Sequence, residues 1–521
     1  MTVLSRLAGA ALLAAACLGF GRRLLHLLQL ESYQLPGYRK SLLRNAPKDL
    51  LPGLLLTAAA ATCFFALKPL EWGGAVTAVL MAAAGFAIGK LTAVKNAKKP
   101  FKATARVKRL WAVYGIACFG LCLLVPTEWR WVFPILLPLW LAVGALLAWP
   151  IERGIYELYF QDARKKLAAR PDLIKIGITG SFGKTSVKVL LGTILSERFQ
   201  VLTTPASFNT PMGLTRIIRE KLEPAHQIFL AEMGARHRGD IRELCRLVRP
   251  DYGVLTSVGA QHLDTFGSLE AITETKYDLI RAIPESGIRF FPDDGGICRK
   301  LYDRTSGNKR LVSLKINPDA DVWAENIQVS ARGSAFTICT RDSRVECETR
   351  LLGAHNIQNL LLASSVGLSL GMSLKEISRG IARVKPVEHR LQLIDNPGGI
   401  TLIDDAFNSN PAGASRALNV LKAFPKQRMI VTPGMVELGD REAEYNKSFG
   451  EEMADCVDVA ILVGPKHTAP IRDGLRGKGF PESDIHTVNS LNEAADLMRR
   501  LAKPGDTVLF ENDLPDNYSE T

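Results

Sequence analysis

Paired cysteine motifs are absent from this chain: nine cysteines are scattered at positions 17, 63, 118, 122, 245, 298, 339, 347 and 456 with no CxxC pair among them. Neither a zinc site nor a disulfide framework follows from that spacing, and a reduced cytoplasmic compartment is the plain expectation. There is no internal repeat of solenoid length and no low-complexity tract, which excludes repeat arrays. Ionisable residues are also scarce inside the long apolar runs, with Lys90 near one end as the exception, so nothing there marks a transport pathway.

What is present is unevenly distributed. Hydrophobic residues make up 47% of the 521 positions, but they crowd into the first 150, where several runs approach the roughly 20 residues a bilayer-spanning helix needs. The pattern predicts five spans, near Leu4 to Phe20, Leu50 to Leu67, Gly74 to Ala93, Leu110 to Val125 and Trp131 to Trp149. Basic residues follow the first span (Arg22, Arg23, Arg39, Lys40, Arg44, Lys48) and the third (Lys95, Lys98, Lys99, Lys102, Arg106, Lys108, Arg109), while the other loops are nearly bare. Because Lys and Arg accumulate on cytoplasmic loops, the amino terminus is expected outside and everything after Trp149 inside a bacterial membrane. Trp72, Trp111, Trp129, Trp131 and Trp140 fall mostly near the expected interfaces. The formal net charge of +13 is explained by attraction to anionic lipid rather than to nucleic acid, since thirteen basic residues lie in those two loops.

Past a polar connector at 151–171, short apolar runs alternate with helical patterns. Leu173 to Ile178, Val201 to Thr204, Gln227 to Met233, Tyr252 to Val258, Phe290 to Pro292 and Leu311 to Leu314 read as strands of a parallel sheet covered by helices. Between Asp321 and Leu352 the alternation of β-branched residues predicts a small antiparallel appendage, followed by a helix from His355 to Leu370. After Val384-Lys385-Pro386 a second α/β unit begins, with strands near 399–403, 428–431, 459–463 and 507–510. The expected fold is therefore α/β in three parts: a helical transmembrane region at 1–150, a P-loop-containing parallel-sheet ATPase domain at 172–384, and a Rossmann-like α/β domain at 385–521.

The first apolar run of the soluble part ends in GITGSFGKTS, residues 177 to 186. Gly180, Ser181, Phe182, Gly183, Lys184, Thr185 and Ser186 have the chemistry of a phosphate-cradling turn. Glycines let backbone N–H groups face phosphate oxygens, the lysine brings a positive charge to the β/γ-phosphates, and the threonine hydroxyl suits Mg²⁺. The pattern departs from G-x-x-x-x-G-K-[ST], because Ile178 stands where the first glycine is usual. Glu232 ends a strand in LAEMGARHRGDI and His262 follows the next in TSVGAQHLDTFGS, so both emerge where phosphates would lie and offer metal-ligating groups.

These stretches, with Lys276 in ETKYDLI, GAHNIQNLLLA at 353–363, Glu388-His389-Arg390 and DDAFNSNP at 404–411, resemble in order the motifs of the Mur ligase family, over residues 172 to 510. Within it the likeness is to the branch that adds D-alanyl-D-alanine to a muramoyl tripeptide. The resemblance implies an ATP-dependent carboxylate–amine ligase acting through an acyl phosphate in cell-wall synthesis, with ATP and two Mg²⁺ ions as cofactors. It implies that Lys184 and the loop amides hold the phosphates and that Thr185 with Glu232 ligates one Mg²⁺. A carbamylated Lys276, beside Glu232 and His262, would serve the second. Asn356 and Asn359 would face the adenine, and Arg390 with Asp405 would close over phosphates and ribose.

The likeness also has gaps. Arg236 and Arg238 replace the Asn and Pro usual in the Glu232 motif, Asn446 stands near a usual His, and LFENDLPDNYSE lacks the family's KGSR-like ending. The uridine-binding amino-terminal domain is missing, with the apolar runs in its place. The expected partners are therefore the lipid bilayer, a lipid-linked or anionic envelope precursor, and an amino acid or dipeptide supplying the amine. A poly-γ-glutamate-type synthase and a non-catalytic scaffold or ATP-gated transporter are the competing readings.

Overall fold

The computed structural model describes residues 3–31, 33–44, 46–67, 101–126, 135–205, 208–395, 398–406 and 409–513, with isolated positions between 76 and 87 and at 129 and 132. The expected third span, with Lys90, Lys95, Lys98, Lys99, Trp72, Trp131 and the final residues LPDNYSE, lies outside the described residues. Two compact units are present, one reaching to Leu158 and one running from Tyr159 to Leu514.

The first unit is helical, with helices Val3–Leu30, Leu35–Arg44, Ala46–Leu67 and Ala105–Leu124 and the opening half of Leu137–Ala168. Its interior gathers Ala10, Leu24, Leu25, Leu28, Leu110, Tyr114, Cys118 and Leu141. Gly144 allows the close crossing on Tyr114, where an added Cβ would lie 3.4 Å from the tyrosine Cβ. Arg109 donates to both oxygens of Glu152, at 2.6 and 2.9 Å. Outward faces carry Leu54, Phe65, Ile116, Leu124, Leu139 and Trp149, all exposed, an apolar surface that water does not favour.

The five-span expectation is reduced by these helices. Among the described residues, Ala105–Leu124 alone is a single helix long and apolar enough to cross a membrane, joined by the pair Ala10–Gly19 and Gly21–Leu30 if their 45° bend is counted as one broken span. The physical reason lies in where polar residues fall. The first helix runs on past Phe20 through Arg22 and Arg23, and the last turns charged from Glu152 onward after an internal Pro150.

In the second unit nine strands form one sheet: β1 Ile174–Thr179, β2 Val201–Thr203, β3 Ile228–Glu232, β4 Tyr252–Leu255, β5 Ile288–Pro292, β6 Lys309–Ser313, β7 Val322–Ser330, β8 Gly333–Cys339 and β9 Arg344–Thr349. Their order is β2-β3-β1-β4-β5-β6-β7-β8-β9, parallel as far as β7 and antiparallel from there. The antiparallel appendage expected at 321–352 is thus an extension of the main sheet, because β7 pairs with β6 as well as β8. Both faces are covered, and neighbouring residues serve opposite sides as a two-residue period requires. Val254 and Phe290 join the core with Leu190, Leu191 and Ile357, whereas Leu255 and Phe291 join Tyr277, Ile280 and Leu301. From β1 the chain steps outward to β2 and β3 on one side, then to β4 on the other. That reversal puts a crevice at the carboxyl end of β1, the usual ligand position in open α/β sheets.

A second sheet has the order β10-β11-β15-β12-β13-β14, from β10 Gln392–Asp395, β11 Thr401–Asp405, β12 Arg428–Thr432, β13 Val459–Val463, β14 Ile485–Val488 and β15 Thr507–Glu511. Strands β10 and β14 are additions to the expected four; both are short edge strands whose sequences carry little apolar periodicity. All nine cysteines are free.

Helices Glu442–Met453 and Ala469–Gly477 touch backbone to backbone in this half. A Cβ added at Gly450 would sit 2.1 Å from the Ile471 carbonyl oxygen, and one at Gly474 would sit 2.1 Å from that of Lys447. Neither obstacle is a flexible side chain, so Gly450→Ala is expected to cost about 1–3 kcal/mol of stability. A lowered urea midpoint for this variant, beside an unchanged midpoint for Gly477→Ala, where a Cβ meets nothing within 4 Å, checks this.

Candidate functional site

The phosphate-loop candidate is built by a close approach between the end of β1 and the end of β4. A side chain at Gly180 is impossible, because a Cβ there would lie 2.1 Å from Thr256 Oγ1 and 2.8 Å from the Ser257 carbonyl oxygen. The loop is tied down by Ser181 N donating to Ser257 O at 2.7 Å, Phe182 N to Ser257 Oγ at 3.0 Å, and Ser181 Oγ to Gly259 O at 3.0 Å. Thr256 Oγ1 also donates to the Phe182 carbonyl. The Ser181 and Phe182 amides are therefore committed to holding the loop rather than turned toward a ligand. The helix that follows, Lys184–Leu195, begins at Gly183 with φ 79° and no side-chain cap. Its first N–H groups form the anion-facing end of the site. Lys184 Nζ lies back over the loop, donating to the carbonyls of Gly180 at 2.7 Å and Ser181 at 2.9 Å. Burial lowers its pKa to about 8, with nearby Glu232 opposing and Arg390 adding to the shift.

Glu232 closes β3 and is almost wholly buried, 1% exposed. Its Oε1 accepts from Thr185 Oγ1 at 3.1 Å and from Asn209 Nδ2 at 3.0 Å. Its Oε2 lies 2.9 Å from the ammonium of Lys188, itself 2% exposed. Thr185 and Lys188 reach the same carboxylate because they are three residues apart on one helix face.

Lys276 is fully enclosed in helix Leu269–Ala282, and burial, reinforced by the neighbouring Lys184, drives its pKa well below the ordinary lysine value. His262 lies on the far side of the loop in a left-handed conformation, φ 54°, and its Nδ1 is 2.5 Å from Glu437 Oε2. Glu437 has φ 64° itself, and Arg236 approaches it at 3.5 Å. Burial lowers the His262 pKa while the Glu437 hydrogen bond opposes that shift. A small, shallow cleft opens here, lined by Gln261, His262, Ser409, Asn410, Val436, Glu437 and Leu438.

The second sheet contributes Arg390 and Asp405. Arg390 stands between His389, φ 58°, and Leu391, φ 46°. The turn is pinned by His389 Nδ1 to Asp404 Oδ2 at 2.7 Å and by Leu391 N donating to Asp405 Oδ1 at 3.2 Å. Burial lowers the Arg390 pKa against the opposing fields of Asp405 and Glu232. Asp405 is pushed up to about 7 by burial and by Glu511, its register partner on β15. Glu511 is likewise raised to about 7 by burial, although Thr432 Oγ1 donates to it at 2.7 Å and Ser409 also donates.

Lys184, Thr185, Glu232, Arg390 and Asp405 are thus brought within mutual influence, with Lys276 beside Lys184. Among the described residues no group of three or more His, Cys, Asp or Glu side chains is arranged to hold an ion, and of the expected metal set Thr185, Glu232, His262 and Lys276 only Glu232 and His262 are of those types. His262 is engaged by Glu437, and Lys276 carries no acidic group, which leaves Thr185 and Glu232 as the adjoining oxygen donors. Asn359 sits over the loop, its Oδ1 3.2 Å from the position of a Gly183 Cβ. Asn356 does not face outward: its Nδ2 donates to the Leu352 carbonyl at 2.8 Å and the residue is buried. Asn446, in place of the usual histidine, exchanges hydrogen bonds with both the N–H and the C=O of Met435 and so fixes the 432–439 loop. Lys188, Asn209, Glu437 and Glu511 escaped the sequence reading. Lys188 alone left a signal, as a charge inside the apolar run VKVLL.

Comparison with known proteins bears on the same residues. The family model for the Mur ligase middle domain matches residues 178–367, and that for the Mur ligase, glutamate ligase domain matches 389–511. The chain is 31% identical over 358 residues to the UDP-N-acetylmuramoyl-tripeptide--D-alanyl-D-alanine ligase of Mycobacterium tuberculosis, covering 64% of this chain and 69% of that one. It is 31% identical over 336 residues to the enzyme of that name in Escherichia coli, covering 63% and 74%. Its fold is similar to MurF of Thermotoga maritima solved in complex with ADP, with a TM-score of 0.62 at 24% identity over 70% of this chain and 82% of that chain. MurF of Acinetobacter baumannii gives 0.61 at 24% identity, over 70% and 79%.

The Asp405 and Glu511 shifts generate a pH prediction. Both carboxyls are raised from unfolded values near 4 to about 7, so the folded chain binds more protons across that interval. Their contribution to stability is full below the unfolded values and is lost as pH rises through about 7. From these two groups the melting temperature is expected to fall between about pH 4 and pH 7 and to level off above that, and Glu511→Gln to flatten the slope; calorimetry across the range checks both.

Proposed function

Since the chain belongs to the Mur ligase family, we propose that this MurF-like, ATP-dependent ligase joins a peptide carboxylate to an incoming amine during peptidoglycan-precursor synthesis. The observation that carries the reading is the gathering of Lys184, Thr185 and Glu232 at the carboxyl end of β1 under Arg390 from the second sheet.

A carboxylate is unreactive toward amines until one oxygen becomes a good leaving group. Its oxygen attacks the γ-phosphorus of ATP, ADP departs, and an acyl phosphate forms. The amine then attacks the acyl carbon, the tetrahedral intermediate expels phosphate, and the amine's proton is lost to leave the amide. Lys184, mostly cationic at neutral pH with a pKa of about 8, swings from the loop carbonyls to the phosphate oxygens. Arg390 adds charge from the opposite side, where negative charge builds on the transferring group. The contact of His262 with Glu437 joins two loops that would exclude water able to hydrolyse the acyl phosphate.

The donor chemistry fits a hard cation: Thr185 Oγ1 and Glu232 Oε1 would hold Mg²⁺, which supplies charge neutralisation during phosphoryl transfer. Lys276, whose pKa burial drives well below the ordinary lysine value, is poised for carbamylation: its nitrogen in the free-amine form bonds to the carbon of CO₂ and loses a proton to solvent, placing an anion beside Lys184. Asn359 and Asp405 border the nucleotide in this reading, whereas Asn356 supports the helix that carries Asn359.

The relatives' printed name specifies a muramoyl tripeptide acceptor and D-alanyl-D-alanine, so a peptide precursor and a dipeptide are the first substrates to try. A second reading is favoured by the apolar helix Ala105–Leu124 and the basic residues preceding it: the acceptor arrives lipid-linked at the cytoplasmic membrane face. Detergent-purified protein incubated with ATP, a panel of amino acids and dipeptides, and either UDP-linked or polyprenyl-linked precursor separates these by mass spectrometry. Amine-dependent ADP release with one added unit is expected, repeated addition indicates a polymerising synthase, and no ADP release with any pair sinks the ligase reading. Lys276→Ala is expected to lower kcat about 10²–10³-fold, partly restored by a small carboxylic acid. Carbon-13 NMR with labelled bicarbonate should show a carbamate in the parent chain and none in the variant.

A further inference from the structure

Lys188 has no part in the reaction above, yet it is one of the most deeply buried charged side chains of the protein, at 2% exposure among Val187, Leu190 and Leu191. An ammonium is kept in such surroundings only beside a compensating group, here Glu232 Oε2 at 2.9 Å. The two oxygens of Glu232 are consequently unlike. Oε2 receives no aligned hydrogen bond and rests on the Lys188 ammonium, while Oε1 accepts from the neutral donors Thr185 Oγ1 and Asn209 Nδ2, at 3.1 and 3.0 Å.

We propose that Lys188 is a positioning residue that leaves Glu232 a single usable oxygen, Oε1, and neutralises its charge, so that a divalent cation binds only together with the nucleotide phosphates. The inference rests on the assignment of Thr185 and Glu232 as the donors of a cation. Neutral donors on Oε1 yield to an incoming cation, since a hydroxyl can rotate to offer a lone pair and an amide can turn away. The ammonium on Oε2 can do neither, and a second cation on that side would meet its full repulsion in a poorly solvated site. Without nucleotide the carboxylate and the ammonium cancel, and one hydroxyl and half a carboxylate are too few ligands for a hard cation that prefers about six oxygens. Phosphate oxygens supply the missing ligands and charge.

The test measures Mn²⁺ uptake by electron paramagnetic resonance on the full chain in detergent, with and without a non-hydrolysable ATP analogue. The parent protein and Lys188→Arg are expected to take up Mn²⁺ with the analogue and scarcely without it. Lys188→Gln removes the charge but retains a donor for Oε2, and it is expected to bind Mn²⁺ about tenfold or more tightly without nucleotide. Lys188→Met should do the same if it folds. Turnover in Lys188→Gln should fall while the KM for ATP changes little. Mn²⁺ affinity in Lys188→Gln equal to or weaker than the parent's overturns the proposal and leaves the ligase reading standing. Absence of Mn²⁺ uptake by the parent even with the analogue overturns the cation assignment and the proposal together.

Discussion

Much of this site depends on one buried carboxylate. Glu232 is carried to the end of β3 by strand pairing along the length of β1, and there it is removed from water. An isolated buried charge costs several kcal/mol, so the chain around it must supply compensation. One helix face does so through Thr185 and Lys188, and the loop after β2 adds Asn209. Lys184 and Arg390 feel the same charge at longer range, which ties the phosphate loop and the second sheet to a single negative centre. The glycine at 180 belongs to the same constraint: only without a side chain can the loop lie against Thr256 and Ser257 and bring helix Lys184–Leu195 to face Glu232.

In the second sheet Asp405 and Glu511 end adjacent parallel strands, and burial raises both to about 7. A carboxylate pair that is half protonated is soft: it can accept the field of Arg390 or the approach of a hydroxyl with little reorganisation. The position where the family's KGSR-like ending would fall instead carries Glu511 and Asn512, with Asn512 Nδ2 donating to the Gly434 carbonyl at 2.5 Å. Asn446 fixes the neighbouring loop from the other side. Two departures from the family pattern therefore meet on one loop, 432–439, Asn446 through the Met435 backbone and Asn512 through the Gly434 carbonyl.

The strands that build the site were legible because their signal is local. Leu173 to Ile178 is an apolar run closed by a glycine turn, and the helix at 354–369 is a long apolar stretch; each carries its periodicity within itself. Lys184, Thr185 and Glu232 were legible for the same reason, each being placed by a strand end. What escaped depends on tertiary pairing. His262 is an imidazole after a strand in sequence, but its partner, Glu437, lies 175 residues away. Asn356 and Asn359 are indistinguishable as letters, and only the helix phase turns the first inward to Leu352 and the second toward Gly183. At the amino end composition and helix boundaries differ: the apolar run and the helix coincide at 105–124 but not at 3–30, where the helix continues through two arginines, and most of the third expected span lies outside the described residues.

Backbone conformation adds a last step. His262, Glu437, His389 and Leu391 are all non-glycine residues in the left-handed region, a state that costs roughly 1–2 kcal/mol each. Of these four, two form the 2.5 Å contact that joins the first sheet's loop to the second sheet's, and two flank Arg390, while Tyr33, Arg249, Asn326 and Asn512 take the same conformation elsewhere. Strain at such positions persists only where the surroundings enforce it, and here the enforcing contacts are side-chain hydrogen bonds, His262 with Glu437 and His389 with Asp404. The His262–Glu437 contact thus ties the loop after β4 to the loop after β12, two segments 175 residues apart in the sequence.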